Sequence, residues 1–166
     1  SLSPRANKQI FESFCQHFDY QPVSFQAFQT VNFDSETQER LPIYHTNVMM
    51  TVGETFVVIC LSSIDNVDER NQLIQLFERT NKEIIDITEE QVKKFAGNML
   101  QVKGGENEEV NYLIMSSTAY HSLTEDQINK ISSHCQILHH SLSLIELCGG
   151  GSARCMLAEV FLPKIE

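Results

Sequence analysis

The chain has 166 residues, 42% hydrophobic and 20% charged, enough for one globular domain with a sizeable core. Its 12 Lys and Arg face 22 Asp and Glu, a net charge of -10, which disfavours nucleic acid as a partner because that recognition begins with a basic patch. No apolar run approaches the roughly 20 residues of a membrane helix, and the polar opening SLSPRAN is no signal peptide.

In chain order, hydrophobic periods predict alternating helices and strands. Asn7 to Phe18 reads as a helix with Ile10, Phe11 and Phe14 on one face. Asp68 to Thr80 reads as a second, with Leu73, Ile74, Leu76 and Phe77 as its stripe. Capping boxes announce two more, at Thr88-Glu-Glu-Gln91 and Thr124-Glu-Asp-Gln127. Short apolar runs predict strands at Val23–Phe28, Thr46–Met50, Thr55–Leu61, Glu83–Ile87, Met99–Val102, Tyr112–Ser116, Gln136–His139 and Met156–Leu162. The stretch from Lys103 to Val110, with four acidic or amide side chains around two glycines, reads as a solvated hairpin loop. Met49, Met50 and the phenylalanines of the first helix read as core.

Laid in register, these elements repeat. One strand leads to His45-Thr-Asn-Val-Met-Met50, a second to Ala96-Gly-Asn-Met-Leu100, a third to Ser152-Ala-Arg-Cys-Met-Leu157. Asn47, Asn98 and Cys155 fall at equivalent places. Repeats of this size stack because one unit cannot bury its own apolar face, and equivalent strand starts then converge at one end. Ser1 in place of Met predicts a fragment of a longer protein.

The run Cys148-Gly-Gly-Gly-Ser-Ala-Arg-Cys-Met156 is the most unusual segment. Glycines let a backbone take positive φ and approach a ligand closely. Cys155 would stand at a strand mouth beside Arg154, and a neighbouring cation favours thiolate, the nucleophilic form. The bland reading is a Gly-rich turn with a structural cysteine. His45 stands in register with Cys155, and a His beside a reactive Cys can protonate a leaving amine and then activate water. The five cysteines, Cys15, Cys60, Cys135, Cys148 and Cys155, are odd in number and irregularly spaced. They point to a reducing, cytoplasmic setting. Cys15, His17, His134, Cys135, His139 and His140 are ligand types without the paired spacing of a structural zinc site, so no metal is expected.

The segments Ile43-Tyr-His-Thr-Asn-Val-Met-Met50 and Gly149-Gly-Gly-Ser-Ala-Arg-Cys-Met156 resemble the amidinotransferase and arginine deiminase superfamily, the penteins. Within it they look most like the amidinotransferase group associated with citrulline hydrolysis. The similarity runs from Leu2 to Pro163. It implies an α/β fold, a β/α-propeller of five pseudosymmetric ββαβ units, of which this chain carries about three. Residues 1–166 would then be the C-terminal part of a single catalytic domain, and its N-terminal units, with acidic residues that grip the substrate, would lie upstream. The resemblance implies Cys155 as nucleophile, His45 as general acid and base, and no metal or organic cofactor. The implied partners are a small guanidino or ureido amino acid and the N-terminal half of the same protein. Homo-oligomerisation stays open, and neither nucleic acid nor membrane is implied.

Many arginine deiminases resemble this segment but carry Asp where this chain has Asn47. Asn offers a donor and an acceptor to a neutral group, whereas Asp suits a cation, so citrulline is expected over arginine. Asn98 either lines the site or fixes a turn, and Arg154 either binds substrate carboxylate or favours the thiolate. The other class of answer is a non-catalytic pentein, a binding module on the same fold. An amidinotransferase or an arginine deiminase is the alternative within the enzymes.

Overall fold

The computed structural model describes residues 1–32, 38–104 and 110–160. Helix α1 (Lys8–His17) starts where Asn7 Oδ1 accepts the amides of Gln9 and Ile10 at 2.9 and 3.2 Å. Strands β1 (Phe28–Asn32) and β2 (Gln38–Pro42) pair antiparallel as a separate two-stranded sheet. A 3-10 turn at Thr46–Val48 leads to β3 (Met50–Val52) and β4 (Phe56–Ile59). Helix α2 (Val67–Arg79) follows, capped by Asn66, with Asp68 and Glu69 in its first turn and Arg79 in its last, the arrangement its dipole favours. It leads to β5 (Glu83–Asp86), parallel to β4.

The second half repeats this plan. After α3 (Glu89–Val92) come β6 (Leu100–Gly104) and β7 (Val110–Ser116), antiparallel. Helices α4 (Ser117–Ser122) and α5 (Glu125–His134) then lead to β8 (Gln136–His140), parallel to β7. Both three-stranded sheets therefore have the order first–second–third, antiparallel then parallel. The chain closes with α6 (Ser143–Gly149) and the single turn α7 (Ala153–Met156).

Both expected capping boxes form, and they interlock. Gln91 Nε2 donates to Gln127 Oε1 at 2.7 Å and to the Ser122 carbonyl at 2.8 Å, while Gln127 Nε2 donates to the Asp86 carbonyl at 2.7 Å. The residues that start two helices also bind neighbouring units together. A second polar link crosses the sheets, where the buried Thr51 hydroxyl on β3 shares its one proton between the carbonyls of Gly97 and Met99, at 2.8 and 3.0 Å, and accepts the Met99 amide.

The hairpin is tethered by Arg40, which pairs with Asp65 and Glu89 and donates to Thr30 Oγ1 at 2.9 Å. Burial alone would push the Glu89 carboxyl up, but the Thr30 amide at 2.8 Å and the Arg40 guanidinium outweigh it and hold it below the usual carboxylate range. Asp65 leads the contacts that raise the Arg40 guanidinium in turn.

Several expectations are corrected. Residues 23–27 form no strand, although the Phe25 and Ala27 carbonyls accept the amides of Leu2 and Ile43 at 2.9 and 2.8 Å, and the strand runs Phe28–Asn32 against β2. Thr46–Val48 is a 3-10 turn rather than strand. Residues 153–156 form the helical turn α7, and residues 157–160 pair with no strand among the described residues, so the Met156–Leu162 strand does not appear there; 161 and 162 lie outside them. The first helix exposes its supposed core face, with Ile10 72% and Phe14 54% accessible and only Cys15 buried. Met49 is buried while Met50 is partly covered. The expected loop at Lys103–Val110 does join an antiparallel pair, and its residues 105–109 lie outside the described residues. The described residues hold two repeated three-stranded sheets and a hairpin, and no closed ring among them.

Candidate active site

The site is built around a reversal of the chain after α3. Phe95 takes a left-handed conformation, φ 66°, and the Ala96 amide returns to the Gln91 carbonyl at 3.0 Å. Gly97 then lies flat against the 3-10 turn: a Cβ there would sit 2.5 Å from the Val48 carbonyl oxygen and under 3 Å from Met49 backbone atoms. Only glycine permits that approach. It brings Asn98, 4% exposed, under the backbone of Asn47, and Asn98 Nδ2 donates to the Asn47 carbonyl at 2.9 Å.

Cys155 arrives from the other end of the chain. Gly150, at φ 66°, closes α6 as a left-handed cap, and its amide meets the Glu146 carbonyl at 3.1 Å. A Cβ on Gly151 would crowd Cβ and Sγ of Cys155 at 3.1 Å. The Arg154 amide donates to the Asn98 carbonyl at 3.3 Å, and Asn98 Nδ2 lies 3.3 Å from Cys155 Sγ. Asn47, Asn98 and Cys155, equivalent in the repeat, thus converge.

Glu146 is a participant that the sequence did not reveal. Its carboxylate is buried, with Oε1 accepting Ser152 Oγ at 2.6 Å and Oε2 accepting Thr118 Oγ1 at 2.8 Å. Burial raises its carboxyl, but the hydroxyls of Ser116, Ser152 and Thr118 prevail and hold it below the usual range. Ser152 precedes α7 yet makes no side-chain cap, because its hydroxyl is committed to Glu146. The Ser152 carbonyl accepts the Cys155 amide at 3.0 Å, so Glu146 anchors the turn that carries the thiol. An acid three residues ahead of a glycine run was the available signal.

His45 precedes the 3-10 turn and accepts the Val48 amide at its carbonyl. Its ring is exposed, edge-on to Tyr44 with centroids 5.2 Å apart, and Arg5 stacks over that tyrosine at 4.5 Å. The group against Cys155 Sγ is Asn98 rather than His45. Arg154 donates from Nη1 to the Leu157 carbonyl at 3.0 Å, within the turn that carries the thiol. Cys148 and Cys155 are exposed, whereas Cys15, Cys60 and Cys135 are buried, and burial pushes the Cys135 thiol up. Among the described residues, no group of three or more His, Cys, Asp or Glu side chains is arranged to hold a metal ion. No helix among them is long and apolar enough to cross a membrane.

The model of one family, N,N dimethylarginine dimethylhydrolase, eukaryotic, matches residues 1–162. No curated protein matches the sequence. Among solved structures, the chain is similar to the apo form of ArgZ, an arginine dihydrolase from the ornithine-ammonia cycle in cyanobacteria. The TM-score is 0.64 at 14% identity, over 99% of this chain and 23% of that one. It is also similar to the N-terminal domain of a substituted ArgZ covalently bound to a reaction intermediate, with TM-score 0.57 at 15% identity, over 90% of this chain and 46% of that one. The chain therefore spans less than half the length of either.

Proposed function

The chain belongs to the eukaryotic N,N-dimethylarginine dimethylhydrolase family, and on that premise we propose that it supplies the nucleophile of a pentein hydrolase acting on an arginine-like amino acid. The observation that carries the reading is the meeting of an exposed, glycine-flanked thiol with a buried amide donor at 3.3 Å. In this reading residues 1–166 are the C-terminal part of one catalytic domain, about three units of a five-unit propeller. The remaining units complete the site in the cytoplasm.

The reaction follows from the groups. The Cys155 thiolate donates its electron pair to the planar guanidino or ureido carbon and forms a C–S bond. The tetrahedral adduct collapses, and the C–N bond breaks as His45 protonates the departing amine. His45, now neutral, takes a proton from water, whose oxygen attacks the same carbon. The C–S bond then breaks and the thiolate returns. Asn47 and Arg154 contribute to the substrate side of the site, the one as neutral donor and acceptor, the other as a cation for carboxylate.

Asn47 favours a neutral ureido group, so citrulline is the first substrate; the family match favours N,N-dimethylarginine as the second. The test uses the complete protein. Ammonia release from citrulline and from arginine, and dimethylamine release from N,N-dimethylarginine, are measured beside Cys155→Ala. Release that vanishes in the variant supports the reading and names the substrate. Release unaffected by Cys155→Ala, or none from citrulline, arginine or dimethylarginine, rejects a Cys155-dependent hydrolase.

A further inference from the structure

We propose that Asn98 is a catalytic donor, whose side-chain amide holds Cys155 in its anionic, nucleophilic form. The inference rests on Cys155 being the nucleophile and adds a residue and a role to that reading. The orientation of the amide is fixed by chemistry. The Asn47 carbonyl can only accept, so the group 2.9 Å from it is the NH2. Its second N–H is then the one available to Sγ at 3.3 Å. A donor interacts more strongly with a charged acceptor than with a neutral one, so this contact favours thiolate over thiol.

The donor is also held in place before any reaction. Asn98 is 4% exposed, its amide bonds the Phe95 carbonyl at 2.9 Å, and its own carbonyl accepts Arg154. A dipole fixed in advance needs no reorganisation when charge appears beside it. A residue present only to fix the turn would need the Asn47 contact alone. Instead the side chain spends its second N–H on sulfur and leaves Oδ1 buried without a partner. An unpaired buried acceptor costs stability, so a structural explanation alone is insufficient. By touching Asn47 and Cys155 together, the same NH2 also couples the thiol to the turn that begins at His45.

The experiment measures iodoacetamide alkylation of individual cysteines in the complete protein by mass spectrometry, from acid to alkaline pH. Asn98→Asp replaces the donor with an acceptor of the same shape. The expected result is about tenfold slower labelling of Cys155 at neutral pH, with the deficit closing at alkaline pH where thiols ionise unaided. Exposed Cys148 is the internal reference and should not change. Faster labelling of buried Cys60 and Cys135 would reveal an unfolded variant. In that case the wild type decides: the Asn98 side-chain amide resonances should titrate with the same midpoint as Cys155 alkylation. Unchanged Cys155 labelling in a folded variant, or amide resonances that ignore that titration, overturns the proposal. Absent turnover with these signatures intact would instead reject the hydrolase reading and leave the role of Asn98 standing.

Discussion

Strands β4 and β7 hold the same place in their sheets, antiparallel to the strand before and parallel to the strand after. Their surroundings differ. Phe56, Val57, Val58 and Ile59 of β4 are fully buried, so both faces of that strand are covered. In β7 only Leu113, Met115 and Ser116 are buried, and its partner β8 leaves Leu138 48% exposed. Repetition of topology is therefore not repetition of energy. The first sheet is a wall fixed on both sides, and the second is a wall with one side open. The Gly97 turn leans on the chain leading into the first, and α7, with Cys155, packs on β7 of the second.

The comparison can be broken where it is strongest. Ile59→Ala should cost about 2–4 kcal/mol by urea unfolding, since removed methyl groups leave a cavity in a close-packed site. A cost near zero would mean that β4 is less enclosed than it looks. Gly97→Ala should cost about 1–3 kcal/mol, because the added methyl meets backbone that can give only by moving. It should also slow Cys155 alkylation, since relief of the clash lifts Asn98 away from Asn47. Arg40→Ala should cost about 1 kcal/mol, a value kept small because its ion pairs with Asp65 and Glu89 are partly solvated. A null result would show that the hairpin needs no tether.

The acid side sharpens the contrast further. Glu89 and Glu146 both have carboxyl pKa values held below the usual range. Their stabilisation is present above the unfolded carboxylate value of about 4 and is lost as pH falls through the lower folded value. Glu146→Gln should flatten the acid limb of a stability-against-pH curve by up to about 1 kcal/mol. Arg40→Ala should flatten it through Glu89, and equal slopes in wild type and both variants would count against either assignment. The smallest effect belongs to Leu138→Ala, within about 0.5 kcal/mol, because half its surface is already wet. A cost approaching that of Ile59→Ala would erase the distinction between the two sheets.

The meeting of three distant segments is legible in the sequence, whereas the place of His45 beside Cys155 is not. Asn47, Asn98 and Cys155 align by strand register and by the apolar pair that follows each, and Asn98 touches both of the others. The capping boxes were legible because their chemistry is local. The Cys155 turn was misread for a physical reason: Met156, Leu157 and Val160 look strand-like, but a strand exists only with a partner to receive its hydrogen bonds. Helix α1 was misread because amphipathic spacing marks a face suited to burial and does not supply the surface that buries it. Glu146 escaped because a lone acid in a helix reads as surface until Ser116, Thr118 and Ser152 fold over it. The hairpin β1–β2 escaped because Gln38, Glu39 and Arg40 carry no apolar alternation.

Thr51 joins the two sheets with one hydroxyl that serves two carbonyls and an amide. The seam between units is thus a polar stitch, with no backbone ladder crossing it at that point. Its consequence lies in the order of motion. The Met99 amide should exchange with deuterium through brief opening of the seam, ahead of the β4 amides, whose release needs the whole wall to come apart. Each such opening would part Asn98 from Asn47, so the pace of the stitch would set how often the site loses its shape.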